Sequence, residues 1–103
     1  MVTLEQEIKQ WADSRWPTRT LASRLRKLGE EVGELAEAVC QAEATRMAEH
    51  GGFHLVSNTL RREAAREAAD CAIVLSDICS MLGYPLSAVM REKFAEVQQR
   101  KEV

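Results

Sequence analysis

The sequence predicts an all-α protein, a bundle of about four helices per chain that is completed by oligomerisation. Apolar residues recur in steps of three and four along one central stretch, as on one face of an α-helix: Leu21, Leu25, Leu28, Val32, Leu35 and Val39. Only two prolines and five glycines interrupt the 103 residues, and no strand-like alternation is present. Because so short a chain buries a small core, we expect its apolar helix faces to pack against a partner chain.

Composition limits the function classes. Hydrophobic residues make up 46% and charged residues 29%, as in a globular protein, and we expect one domain over residues 1–103. A net charge of −2 argues against duplex nucleic acid as the main partner, since phosphate backbones favour basic surfaces. No apolar run approaches the roughly 18 residues of a membrane span, so no membrane partner is expected.

The cysteines indicate a reducing compartment. Cys40, Cys71 and Cys79 are odd in number, form no C-x-x-C pair and lie in helical apolar patterns. We therefore expect reduced core residues in a cytoplasmic protein.

The first helix is predicted over residues 2–13. Thr3 and Gln6 have the spacing of a capping box, and Trp16-Pro17 ends the helix because the residue before proline avoids the α region. Trp11 and Trp16 have two interpretations. Either both cover the end of the core, or one of them, with Trp16 the candidate, stacks on a ligand ring.

The second helix is predicted over residues 20–50, with Thr18 or Thr20 as its cap and Gly51-Gly52 at its end. Gly29 and Gly33 lie inside it, which indicates close approach of another helix or room for a ligand. A basic stretch comes just before the acidic centre of the chain, and it is either a solvated helix face or includes one or two phosphate contacts: Arg15, Arg19, Arg24, Arg26 and Lys27.

The third helix is predicted from Ser57 or Asn58 to Leu82, where Gly83 stops it. Its second half is apolar almost all round, so we expect it to be buried on more than one side. Asp77 lies in this apolar setting. It is either a hydrogen-bonded core aspartate or a residue that contacts the substrate or supports the site.

The fourth helix is predicted to run to Arg100, with Ser87 as the candidate cap. The connection over residues 50–59, with His50 and His54, is either an inert loop or an elaboration near the site. Neither histidine is expected to bind metal.

Two carboxylate pairs carry the chemistry. Glu31 and Glu34, and likewise Glu67 and Asp70, lie three residues apart, so each pair shares one helix face. If the two helices pack together, four carboxylates converge, a site for a hard cation. Without histidine or cysteine ligands, Mg²⁺ or Mn²⁺ is favoured over Zn²⁺, and Mg²⁺ indicates a polyphosphate substrate. The alternative is that these are solvent-facing acids.

The sequence segments around these acids resemble the all-α nucleotide pyrophosphohydrolases of the MazG type. These segments are residues 27–38 (KLGEEVGELAEA) and 67–75 (EAADCAIVL). That superfamily also includes dimeric dUTPases, dCTP pyrophosphatases and phosphoribosyl-ATP pyrophosphatase. The resemblance implies a homodimer or homotetramer that hydrolyses nucleoside triphosphates between the α and β phosphates.

The resemblance also implies roles for single residues. Glu31, Glu34, Glu67 and Asp70 would hold Mg²⁺, with Mn²⁺ as a substitute, and Glu30 would support a further metal or help to activate water. Lys93 would meet phosphate, from across a subunit interface. Val97 stands where relatives often carry an asparagine near the sugar or base, so the base preference is not assigned.

Three functions follow from this pattern. The first is Mg²⁺-dependent hydrolysis of (d)NTPs in nucleotide-pool house-cleaning. The second is phosphoribosyl-ATP pyrophosphohydrolysis, and the third is a non-catalytic helical oligomerisation module.

Overall fold

The computed structural model describes residues 1–48 and 58–100, with the backbone alone for residues 45–48. Within these ranges the chain forms four α-helices and no strand, which confirms the predicted all-α bundle. They are α1 (Leu4–Arg15), α2 (Leu21–Ala48), α3 (Asn58–Met81) and α4 (Leu86–Gln98). The expectations for the Gly51-Gly52 helix end, for Ser57 as a cap and for residues 50–59 fall outside the described residues.

Local side chains start the first two helices. The predicted capping box of α1 is present, because Thr3 Oγ1 accepts from Gln6 N at 3.1 Å and Gln6 Oε1 accepts from Thr3 N at 2.9 Å. Thr20 and Ser23 make the same reciprocal pair ahead of α2, at 3.0 and 3.1 Å. The Thr20 alternative for this cap is therefore confirmed.

Gly83 ends α3 as predicted. It adopts a left-handed backbone with φ of 88°, which favours a residue without a Cβ. The Tyr84 N–H donates to the Cys79 carbonyl and the Gly83 N–H to the Ser80 carbonyl, both at 3.0 Å. This pair of bonds is the Schellman motif, and it satisfies carbonyls at the helix end.

The expected Ser87 cap of α4 is wrong. Pro85 occupies the N-cap position and supplies no side-chain hydrogen bond. Instead the Glu5 carboxylate, on α1, accepts from the Ser87 backbone N–H at 3.2 and 3.3 Å. An acid from another helix thus serves the positive end of α4.

The most extensive packing joins α2 and α3, while α1 and α4 each pack on α3. In the described residues the buried apolar side chains are all short: Ala12, Ala38, Ala42, Cys71 and Val74. Three polar residues are as deeply buried, namely Glu31, Ser76 and Asp77. Charge is therefore part of this interior.

Large apolar side chains remain on the surface of the single chain. The α2 stripe exposes Leu25, Val32 and Val39, and α4 buries none of its residues. The second half of α3 is not buried all round either, since Ile73 and Leu75 are each 38% exposed. Cys40 is exposed, so its assignment to the core is wrong for the single chain, whereas Cys71 is buried and Cys79 half-buried.

Gly29 and Gly33 face open space. Among the described residues, no heavy atom outside their own helix segment lies within 4 Å of a Cβ built at either position. Close helix packing inside the described part of the single chain therefore does not explain these glycines.

None of the described helices alone has the length and apolar character of a membrane span. Only α3 and α4 together meet that test of length and composition, across a bend of 98°.

Candidate functional site

Three of the four predicted acids meet where α2 packs on α3. Glu31, Glu67 and Asp70 each place one carboxylate oxygen within 4.8 Å of the others. Glu31 projects from α2 and the other two, one turn apart, project from α3. We call Glu31, Glu67 and Asp70 the acidic cluster.

Burial decreases across the acidic cluster, since Glu31 is buried, Glu67 is half-buried and Asp70 is exposed. Glu31 is 8% exposed, and within the described part of the chain its Oε2 atom and the Oε2 atom of Glu67 are buried without a hydrogen-bond partner. Burial raises the pKa of the Glu67 carboxyl, and the neighbouring charges of Glu34 and Asp70 raise it further. Buried oxygens without partners are unfavourable, so this arrangement favours a cation.

Lys27 supplies a cation at the edge of the acidic cluster. Its Nζ lies 3.1 Å from Glu31 Oε1 and 3.7 Å from Glu30 Oε2. The hydrogen bond to Glu31 raises the pKa of the lysine. Lys27 neutralises one oxygen of Glu31 and leaves the other without a partner.

Glu34 and Glu30 lie at the margin. Glu34 is exposed and is not among the three acids whose oxygens converge, although its charge acts on Glu67. Glu30 is exposed and lines the cavity beside the acidic cluster. The structure thus brings three acids together and leaves these two within electrostatic reach.

An open cavity of about 1040 Å³ adjoins the acidic cluster. Glu31 and Asp70 lie in its lining, together with basic residues and both tryptophans. The rings of Trp11 and Trp16 meet edge to face, with centroids 4.9 Å apart. Carboxylates, cations and aromatic faces therefore line one space, which suits a ligand that carries both phosphates and a ring.

Asp77, a predicted substrate contact, is instead surrounded by cations of the chain itself. It is 1% exposed, and Arg19 donates to it from Nε at 2.9 and 3.1 Å and from Nη2 at 2.7 Å. Arg24 Nε forms an ion pair with Oδ2 at 2.9 Å, although its N–H does not point at that oxygen with hydrogen-bond geometry. This arrangement favours the interpretation of Asp77 as a hydrogen-bonded core aspartate, and it removes Arg19 and Arg24 from the solvated face.

Lys93 lies on α4, away from this cavity. It lines a shallow depression with Val89, Met90, Glu92 and Glu96. Within a single chain the structure does not bring Lys93 to the acidic cluster.

Two features of the site were missed in the sequence. The pairing of Lys27 with Glu31 has the i, i+4 spacing that signals a helix ion pair, so it could have been found. The pairing of Arg19 with Asp77 joins residues 58 positions apart, so no local sequence spacing predicts it.

No curated protein and no solved structure matches the chain. A family model does match, and it covers residues 1–101. This match lies within the all-α NTP pyrophosphatase superfamily, while the MazG type stays a prediction. The chain belongs to the phosphoribosyl-ATP pyrophosphohydrolase family, a family of pyrophosphohydrolases.

Proposed function

We propose that this chain is a divalent-cation-dependent pyrophosphohydrolase that cleaves phosphoribosyl-ATP between its α and β phosphates. The products are phosphoribosyl-AMP and pyrophosphate. The observation that carries the proposal is the acidic cluster, with buried carboxylate oxygens that lack partners, in a chain of this family.

The residues of the acidic cluster fit Mg²⁺ or Mn²⁺. The donors are carboxylate oxygens, which hard divalent cations prefer, and two of them are buried without hydrogen bonds. Glu31, Glu67 and Asp70 would hold the ion, with Glu34 as the fourth acid of the set. The bound cation would neutralise charge on the substrate phosphates and lower the pKa of a bound water.

The chain's other groups divide the remaining tasks. Glu30 has an exposed side chain in the lining of the cavity, which supports a role in accepting a proton from the attacking water. Arg26 and Lys27 line the same cavity and would contact phosphate oxygens. Lys27 is available for this once a metal ion replaces it beside Glu31.

The aromatic wall supplies the site for the base. Trp16 lines the cavity and is 38% exposed, and the ring of Trp11 packs against it edge to face. Stacking of an adenine ring on an indole provides affinity without involvement in the bond that breaks.

We propose a second copy of this chain as the partner that covers the exposed stripe of α2 and the apolar side of α4. Leu25 is 63% exposed and Phe94 61%, values that single soluble domains rarely show for several large residues along one face. A homodimer or homotetramer would bury these residues. Lys93 of one subunit would then contact phosphate in the site of the other.

A (d)NTP is the second candidate substrate. It is supported by the resemblance of residues 27–38 and 67–75 to the MazG-type enzymes, which act on nucleoside triphosphates. The same metal site and the same bond serve both substrates, so the pocket decides between them.

The test is pyrophosphate release from phosphoribosyl-ATP and from a panel of canonical and modified (d)NTPs, with Mg²⁺, with Mn²⁺ and with EDTA. We expect metal-dependent release of pyrophosphate, fastest from phosphoribosyl-ATP and absent in EDTA. Faster release from a (d)NTP would move the proposal to the second candidate.

Two outcomes would contradict the proposed reaction. Orthophosphate as the product would mean that a different bond is cleaved. No turnover of any substrate would favour a non-catalytic helical oligomerisation module.

A further inference from the structure

A second group of charges lies beside the cavity, and the proposed reaction does not use it. It consists of Asp77 on α3, Arg19 in the segment between α1 and α2, and Arg24 in the first turn of α2. The side chains of Arg19 and Arg24 are 8% and 12% exposed, and that of Asp77 is 1% exposed. We call these three residues the Asp77 cluster.

Arg19 ties Asp77 to the segment that carries Trp16. While its Nε and Nη2 bind Asp77, its Nη1 donates to the Trp16 carbonyl at 3.2 Å. Nη2 also donates to Asp13 of α1 at 2.8 Å, and the hydrogen bonds to Asp77 raise the pKa of the guanidinium. One guanidinium thus links α3, α1 and the backbone of Trp16.

Arg24 ties Asp77 to the ring of Trp16. Its guanidinium carbon lies 5.2 Å from the ring centroid, within the range of a cation–π contact, while its Nε faces Asp77. Arg15 lies 5.6 Å from the same centroid. Arg24 therefore contacts both the Trp16 ring and Asp77.

The carboxylate of Asp77 is already occupied by two guanidinium groups, and it is almost inaccessible. It is not among the cavity-lining residues, whereas Arg19, Arg24 and Trp16 are. A direct contact with a ligand is therefore not its role. Asp77 is connected to the cavity through its ion pair with Arg24, which contacts the indole ring of Trp16.

We propose that Asp77 and Arg24 are positioning residues that fix the Trp16 ring as the wall against which a substrate base stacks. This inference rests on the proposed function for the identity of the substrate. The Asp77 cluster then contributes to affinity for the substrate base, and the acidic cluster carries out the hydrolysis. Loss of the Asp77 cluster should therefore raise KM and leave kcat close to its original value.

The experiment compares Asp77→Asn, Arg24→Met and Ala42→Gly in the full chain. Arg24→Met leaves the pairing of Arg19 with Asp77 in place, so it serves if Asp77→Asn does not fold. Ala42 is buried on α2 outside the lining of the cavity, so Ala42→Gly controls for lost stability alone.

The first measurement is acrylamide quenching of tryptophan emission in a Trp11→Phe background, where Trp16 is the only tryptophan. The second is steady-state kinetics with phosphoribosyl-ATP in the native background.

We expect a higher quenching constant for Trp16 and a KM raised roughly 3–10-fold, with kcat within about twofold, in Asp77→Asn and Arg24→Met. Ala42→Gly should change neither quantity. Unchanged quenching and KM in Arg24→Met would overturn the inference, as would the same change in Ala42→Gly or a loss confined to kcat.

Failure of the proposed function gives a different result. If the original chain hydrolyses no substrate, that proposal fails, and the quenching comparison still decides whether the Asp77 cluster holds Trp16.

Discussion

Two carboxylate groups on α3 have opposite surroundings. Asp70 and Asp77 lie seven residues apart, about 10 Å along the helix axis and two turns on the same side. Asp77 is enclosed by Arg19 and Arg24, whereas Asp70 faces Glu31 and Glu67. One carboxylate has its cations within the chain, and the other shares its space with further carboxylates.

We interpret this difference as one between charge that is neutralised within the fold and charge that is left for a ligand. A buried ion whose partners all belong to the chain holds elements together, and its removal damages the fold. Converging acids, two of which have buried oxygens without hydrogen bonds, leave negative charge uncompensated until a ligand binds, and such groups are expected at binding sites. We therefore expect substitutions in the acidic cluster to reduce activity and substitutions in the Asp77 cluster to reduce stability.

The largest effect is expected for activity in the acidic cluster. Asp70→Asn, Glu67→Gln and Glu34→Gln should each reduce kcat/KM by about a thousandfold, or roughly 4 kcal/mol of transition-state stabilisation. Helicity and assembly should remain, because removal of one like charge relieves repulsion. Turnover measures the activity, circular dichroism the helicity and size-exclusion chromatography the assembly.

Glu37→Gln is the matched control for these variants. Glu37 is an exposed acid further along α2, outside the acidic cluster, and its substitution should leave turnover unchanged. Full activity in both Asp70→Asn and Glu34→Gln would refute the metal assignment.

The second effect is expected for stability in the Asp77 cluster. Asp77→Asn leaves two buried guanidinium groups short of a counterion, which should cost about 3–5 kcal/mol of unfolding free energy. Urea unfolding measures this quantity. Asp13→Asn, which removes the exposed partner of Arg19, should have a clearly smaller effect. Equal costs for the two variants would mean that burial does not separate them.

The third effect concerns the one lysine that contacts the acidic cluster in the described chain. Lys27→Met removes a cation that competes for Glu31, so Mn²⁺ affinity without nucleotide should rise about two- to fivefold. Substrate KM should rise at the same time, since a phosphate contact is lost. Mn²⁺ titration and kinetics check the two directions, and weaker Mn²⁺ binding in Lys27→Met would count against the assignment of Glu31.

The smallest effect is expected at Gly33, between Glu31 and Glu34. In the single chain a methyl group there meets open space, so Gly33→Ala should stabilise α2 by about 0.5–1 kcal/mol. Thermal unfolding at low protein concentration measures this. Destabilisation instead would show that a second copy packs against this position.

The helices and the acids were predictable because their signals are local. The Thr3–Gln6 capping box, the Gly83 helix end and the i, i+3 acid pairs each depend on residues a few positions apart. The Glu5 cap of α4 joins residues 82 positions apart, and the Asp77 cluster depends on the same kind of tertiary pairing. Sequence spacing predicts which face of a helix carries a side chain. It does not predict which distant cation pairs with that side chain.

The fourth acid illustrates the same limit. The sequence places Glu34 and Glu31 on one face of α2, yet only Glu31 points into the contact with α3. A difference of three residues rotates a side chain by about 60° around the helix, which is enough to leave it at the surface.

The most direct test of the central claim is Mn²⁺ binding, followed by the loss of the free-ion signal in electron paramagnetic resonance. We expect saturable Mn²⁺ binding by the original chain, loss of Mn²⁺ binding in Glu67→Gln and Asp70→Asn, and retained Mn²⁺ binding in Arg24→Met. No saturable binding by the original chain, or equal binding by all four proteins, would contradict the claim that the acidic cluster forms the metal site.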